Sequence, residues 1–183
     1  ILTASAEAAM QSCIPKEALL SRCFTVSPGD SVDTSLLTDR LVEAGYVKSP
    51  VTEGRGQFSV RGSIIDIFPA GGEMPVRIEL WGDEVDTVST YDPETQRRFD
   101  TIKKAVFPPC CELGISCEEL SKRLERLIGG LTGRSQEKAR QNLQRELDSI
   151  RQGILPSSLD KYYSVIYGSP ANLTDYFEDG LLI

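Results

Sequence analysis

The chain has 183 residues, of which 40% are hydrophobic and 26% charged, and 20 Lys and Arg face 27 Asp and Glu for a net charge of −7. That length suits one domain or slightly more, and the apolar content is too high for a disordered chain. An acidic balance argues against a dedicated nucleic-acid binder, and the complete lack of histidine removes the commonest general base and most mixed zinc sites.

Residues 4–13 read as a short helix and Cys23-Phe24-Thr25-Val26 as a strand, before a turn at Ser27-Pro28-Gly29-Asp30. A helix is expected next, capped by Asp33 or Thr34, with Leu36, Leu37, Leu41 and Ala44 as its apolar stripe and Gly45 past its end. From 46 to 91 the period changes to two. Phe58 and Val60 alternate with Ser59 and Arg61, Val76, Ile78 and Leu80 alternate with Arg77, Glu79 and Trp81, and 85–89 continue the pattern. Gly62, Gly71-Gly72 and Gly82-Asp83 punctuate these runs, so the segment predicts an antiparallel meander closed by Pro108-Pro109. Two helices follow. Ser116 with Glu119 signals a capping box ahead of Leu120, Leu124, Leu127 and Ile128, which Gly129-Gly130 terminates. The second opens near Ser135 and carries Ala139, Leu143, Leu147 and Ile150 on one face. Residues 155–183 are irregular, with clustered tyrosines expected to pack at a domain boundary and an apolar strand at the end.

Little of this can carry chemistry. Gly129-Gly130-Leu131-Thr132-Gly133-Arg134-Ser135 has the wrong glycine spacing for a phosphate loop, Arg in place of Lys, and joins two helices instead of following a strand. Five cysteines (13, 23, 110, 111 and 117) match no metal-ligand spacing, and an odd count favours a reducing compartment with incidental thiols. No stretch of about 18 apolar residues is present to cross a membrane. The chain opens at Ile1 and closes on Leu181-Leu182-Ile183, and is expected to be a piece of something longer.

The informative feature is charge within the strands. If β-strands around 58–61 and 76–80 bury their apolar residues on a common core, Arg61, Arg77 and Glu79 share the opposite face, with Lys48 and Arg55 entering from the preceding segment. One reading is an ordinary solvated sheet with weak cross-strand ion pairs. The other is an arginine-bearing interface, since arginine suits bidentate pairing with carboxylates. The −7 total conceals this face: Arg55, Arg61 and Arg77 balance Asp66, Glu73 and Glu79, whereas residues 82–100 are strongly acidic.

The run Gly56-Gln57-Phe58-Ser59-Val60-Arg61-Gly62-Ser63-Ile64-Ile65-Asp66-Ile67-Phe68-Pro69, followed by Pro75-Val76-Arg77-Ile78-Glu79-Leu80-Trp81-Gly82-Asp83-Glu84-Val85, resembles a signature shared by the excinuclease protein UvrB and the transcription-repair coupling factors (Mfd). Leu80-Trp81 stands where those families usually have two Phe. Tyr91-Asp92-Pro93-Glu94-Thr95-Gln96-Arg97-Arg98, Leu159-Asp160-Lys161-Tyr162-Tyr163 and Leu173-Thr174-Asp175-Tyr176-Phe177 resemble the coupling factors, and the Leu-Thr-Gly ending usual in UvrB is missing. A fragment of UvrB itself, an ATP-dependent damage-recognition protein, is the alternative. A DNA-binding module is a further rival that the charge disfavours.

The resemblance implies an α/β (α+β) chain: an antiparallel sheet domain over 28–108 that docks the excinuclease protein UvrA, flanked at 1–27 and 109–183 by parts of a degenerate RecA-like domain without ATPase motifs. It implies partner-binding roles for Lys48, Arg61, Arg77 and Glu79. Ser59 stands where many UvrB sequences have arginine, so the resemblance does not carry that contact over to this chain. No cofactor or metal is implied for this segment, no membrane contact, and a cytoplasmic location. The full-length coupling factor would be an ATP-dependent DNA translocase that meets RNA polymerase and DNA through other domains.

Overall fold

The computed structural model describes residues 3–111, 114–154 and 160–177, and the chain divides into two compact units, 19–112 and 1–18 with 113–183. Helices α1 (Ala6–Met10) and α2 (Lys16–Arg22) lead into strand β1 (Phe24–Val26) and helix α3 (Thr34–Glu43). Strands β2 (Val47–Lys48), β3 (Gln57–Arg61), β4 (Ile64–Ile67), β5 (Val76–Trp81), β6 (Glu84–Tyr91), β7 (Arg98–Thr101) and β8 (Ala105–Phe107) follow. Among the described residues, helices α4 (Cys117–Gly130), α5 (Glu137–Arg151) and α6 (Tyr163–Tyr167) come next.

In the unit of residues 19–112, β2 to β7 form a six-stranded sheet in sequence order. The meander from β3 to β7 is antiparallel as the period-two pattern predicts, whereas β2 pairs with β3 in parallel. Two residues are too few to reveal a strand by periodicity. One sheet face supplies Phe58, Ile65, Ile67, Val76, Ile78, Leu80 and Val88 to a core shared with Leu37 and Leu41 of α3 and with Phe24, Val26 and Phe107. β1 and β8 pair antiparallel as a separate ribbon whose Phe24 and Phe107 rings stack at 5.1 Å.

Helix α3 begins where the sequence expects, with Asp33 accepting hydrogen bonds from the Ser35 and Leu36 amides. It ends in a Schellman arrangement: the Gly45 amide donates to Val42 O and the Tyr46 amide to Leu41 O, both at 2.9 Å, with Gly45 at φ +89°. Leu36 is exposed, contrary to the expected stripe. Leu37, Leu41 and Ala44 are spaced by four and three residues and stack on one side, which leaves Leu36 about 100° around the helix.

In the other unit, Leu120 and Leu124 of α4 and Leu147 and Ile150 of α5 are buried with Tyr162, Tyr163 and Ile166. Ser116 caps α4 by accepting from the Glu119 amide at 3.1 Å, while the Glu119 carboxylate pairs with Arg123 instead of returning to the cap. Only the C-terminal half of α5 packs, so Ala139 is exposed and Leu143 half-buried. The expected terminal strand lies outside the described residues.

Candidate protein-docking face

The second face of the six-stranded sheet is built around one carboxylate. Strand register sets Ser59, Asp66, Arg77 and Ser89 side by side across β3 to β6, and Arg61, Ile64, Glu79 and Thr87 in the adjoining row. Arg61 and Ile64 flank the hairpin loop Gly62-Ser63, where Gly62 at φ +61° takes the first loop position that a two-residue turn of this kind reserves for glycine. That tight turn holds Arg61 diagonally opposite Asp66, close enough for a long side chain to reach.

Asp66 is 1% exposed and engages two arginines. Arg77 grips it with a fork, Nε to Oδ1 at 2.7 Å and Nη2 to Oδ2 at 2.9 Å, and Arg61 Nη2 reaches Oδ2 at 2.5 Å. A carboxylate this deep is tolerable only when paired and fully hydrogen-bonded. The first demand on both arginines is therefore internal. This corrects the simple picture of an open wet face: Ser59, Asp66, Ser89 and Tyr91 on this side are buried. Thr52 closes one flank, its hydroxyl lying within hydrogen-bond distance of Ser59 Oγ at 3.1 Å and of Asp66 O at 3.3 Å. Ser59 is thus committed to packing in this chain.

Gln96 closes the other flank. Its Oε1 accepts from Arg77 Nη2 at 2.8 Å, and its backbone O lies 3.4 Å from Arg77 Nη1. Gln96 sits at φ 60°, the single non-glycine residue in the left-handed region among those described. The turn that holds it there is fastened by Asp92, whose Oδ1 accepts from the Glu94 and Thr95 amides at 2.9 Å, and by the Gln96 amide on Asp92 O at 2.8 Å. Those amides, that of Thr95 foremost, hold the Asp92 carboxyl below its usual range. Beneath Arg77 lies the Tyr91 ring, 4.3 Å from the guanidinium carbon. Hydrogen bonding to Asp66 keeps the Arg77 guanidinium even more firmly charged than usual, and burial pushes the Tyr91 hydroxyl up to about 12.

What reaches solvent is graded. The Arg77 side chain is 13% exposed and that of Arg61 44% exposed, with one nitrogen of Arg61 on Asp66. Glu79 pairs with Arg98 of β7 at 2.5 Å, so it orients Arg98 and leaves Arg77 to Asp66. Trp81, next in the same alternation as Arg77 and Glu79, is 84% exposed at the β5–β6 hairpin. Of the four residues named from the sequence, Arg61, Arg77 and Glu79 come together. Lys48 does not: it is exposed at the sheet edge in register with Phe58, whose side chain belongs to the apolar core face.

Asp66, Gln96 and Arg98 complete the constellation, and sequence reasoning missed all three. A signal for Asp66 is present, because an acid inside Ile64-Ile65-Asp66-Ile67 must be buried and must find cations.

Comparison with known proteins gives this geometry its class. Residues 24–112 match the UvrB interaction domain family. Across 100% of its length the chain is 32% identical to a transcription-repair-coupling factor of Bacillus subtilis (strain 168), and over 98% it is 31% identical to that of Myxococcus xanthus. The Staphylococcus aureus (strain MRSA252) protein of the same name is 30% identical over 92% of the chain. The chain spans only 16%, 14% and 15% of those relatives' lengths. The unit that carries the arginine face is a UvrB interaction domain. The chain as a whole belongs to the transcription-repair-coupling factor family.

Proposed function

We propose that this chain is a docking module that binds UvrA through the face formed by Arg61, Arg77, Glu79 and Arg98, and that in the full-length coupling factor this contact brings UvrA to RNA polymerase stalled at damaged DNA. The observation that carries the reading is the coincidence of a UvrB interaction domain with an organised, partly solvent-facing arginine cluster in an otherwise acidic chain.

In mechanism, Arg61 offers its unengaged nitrogens to a partner carboxylate, and Arg77 gives the cluster its charge while anchored on Asp66 and Tyr91. Glu79 holds Arg98 beside them. Lys48, at the sheet edge apart from the cluster, contributes least. Charge-assisted pairs of this kind set orientation as well as affinity, and truncating one member of a buried pair costs about 2–5 kcal/mol of binding.

The module itself acts by binding and not by catalysis, in the cytoplasm, with the flanking helices read as part of a RecA-like domain. Titrating the 183-residue chain against immobilised UvrA tests this. Saturable binding that Arg61→Ala weakens at least tenfold is expected, and absence of binding, or equal affinity for both proteins, would overturn it.

A further inference from the structure

Asp66 poses a puzzle for a face that attracts acidic groups. It adds a negative charge at the centre of the cluster, so on net charge alone its removal should improve binding. Its geometry points the other way. Oδ2 is shared by Arg61 and Arg77 at 2.5 and 2.9 Å, and Oδ1 takes the Arg77 Nε, all from a carboxylate that is 1% exposed. Two like-charged guanidinium groups are thereby held together, and the Arg61 side chain, otherwise 44% exposed and long, is tied at one nitrogen. An arginine held in place before the partner arrives loses less rotamer freedom on binding than a free one.

Resting on the docking reading above, we propose that Asp66 is the positioning residue of the face: it presents the Arg61 fork in one orientation to a single Asp or Glu side chain of the partner. The charge of the cluster fits one such group. Three guanidinium groups (Arg61, Arg77 and Arg98) stand against two carboxylates (Asp66 and Glu79), leaving one positive charge for the partner to neutralise. Arg77 is gripped by Asp66 and Gln96 and serves as the platform, so the incoming carboxylate is received on the Arg61 side.

Asp66→Asn separates positioning from charge. It keeps the size of the side chain and one acceptor oxygen while raising the cluster's net charge. Association and dissociation of the 183-residue chain with purified UvrA would be followed by surface plasmon resonance at low and high salt, alongside Arg61→Ala and a melting curve for each protein. Positioning requires D66N to dissociate at least tenfold faster while associating as fast as wild type or faster, with a steeper salt dependence. A purely structural role would lower the melting temperature and leave the dissociation rate of the folded protein unchanged. A dissociation rate within twofold of wild type for folded D66N, with R61A weakened, overturns the positioning role and leaves docking intact. Wild-type behaviour of R61A overturns the docking face itself. Should D66N fail to fold, Arg61→Lys decides the matter, since a lysine keeps the charge but presents no fork. R61K binding as weakly as R61A supports positioning, and wild-type affinity for R61K contradicts it.

Discussion

Replacing Arg77 by methionine should be among the most damaging single changes available to this domain, although Arg77 is charged and sits on the face turned away from the apolar core. Methionine preserves much of the stem but removes the fork from Asp66, both contacts to Gln96 and the cation above Tyr91. Asp66 would then retain a single arginine, itself half exposed, while remaining 1% exposed. Breaking a buried pair from one side costs about 3–5 kcal/mol, and the lost cation–π contact adds about 1 kcal/mol. Against a total stability of about 5–15 kcal/mol, that is a large fraction. With a urea dependence of about 1–3 kcal/mol per molar, the midpoint should fall by about 2 M. Urea denaturation followed by circular dichroism suits the measurement, because the exposed Trp81 is a poor fluorescence reporter of folding. The double variant Asp66→Leu with Arg77→Met should recover most of the loss, since replacing both partners leaves no orphaned charge. R77M within about 1 kcal/mol of wild type, or a double variant less stable than R77M alone, would refute the account of the cluster.

Gly45→Ala should destabilise by about 2–4 kcal/mol, because φ is +89° and a Cβ would lie 2.7 Å from that of Cys111. Gly82→Ala, at φ +62° with open space around it, should cost only about 1–2 kcal/mol by the same urea assay. Alkaline pH should unfold the protein through its buried tyrosines. The Tyr91 hydroxyl is raised from 10.0 to about 12 by burial, so the unfolded chain loses its proton first. The resulting stability, up to about 3 kcal/mol, is complete below pH 10 and disappears as pH rises through 12. Tyr91→Phe should therefore flatten the decline of melting temperature across that window, and an unchanged slope would contradict it. Ser116→Ala removes the acceptor for the Glu119 amide and should cost about 1 kcal/mol, seen as faster amide exchange in the first turn of α4.

The parts of this structure that follow from periodicity are legible in the sequence. Alternation at 57–61 and 76–81 gives both the apolar core face and the placement of Arg61, Arg77 and Glu79 opposite it, and the register agrees. The helix ends at Asp33 and Gly45 are readable because capping chemistry is local. What escapes is what depends on distant segments. Whether a sheet face is wet depends on what folds over it, and here Thr52 and Gln96 cover it from loops seven residues before Ser59 and nineteen after Arg77. The pairing of Glu79 with Arg98 spans three strands of register, with a bulge in β5–β6 and another in β6–β7. Alternation alone cannot join them. Lys48 lies near the arginines in sequence, but the parallel pairing of β2 sets its register with Phe58.

The proposal made above is that UvrA docks on the Asp66-centred face. Hydrogen–deuterium exchange of the 183-residue chain, alone and saturated with UvrA, tests it most directly. Protection concentrated in β3 to β5, the 92–97 turn and β7 is the expected result. Protection confined to α3 or to α4 and α5, with the arginine face unchanged, would contradict it.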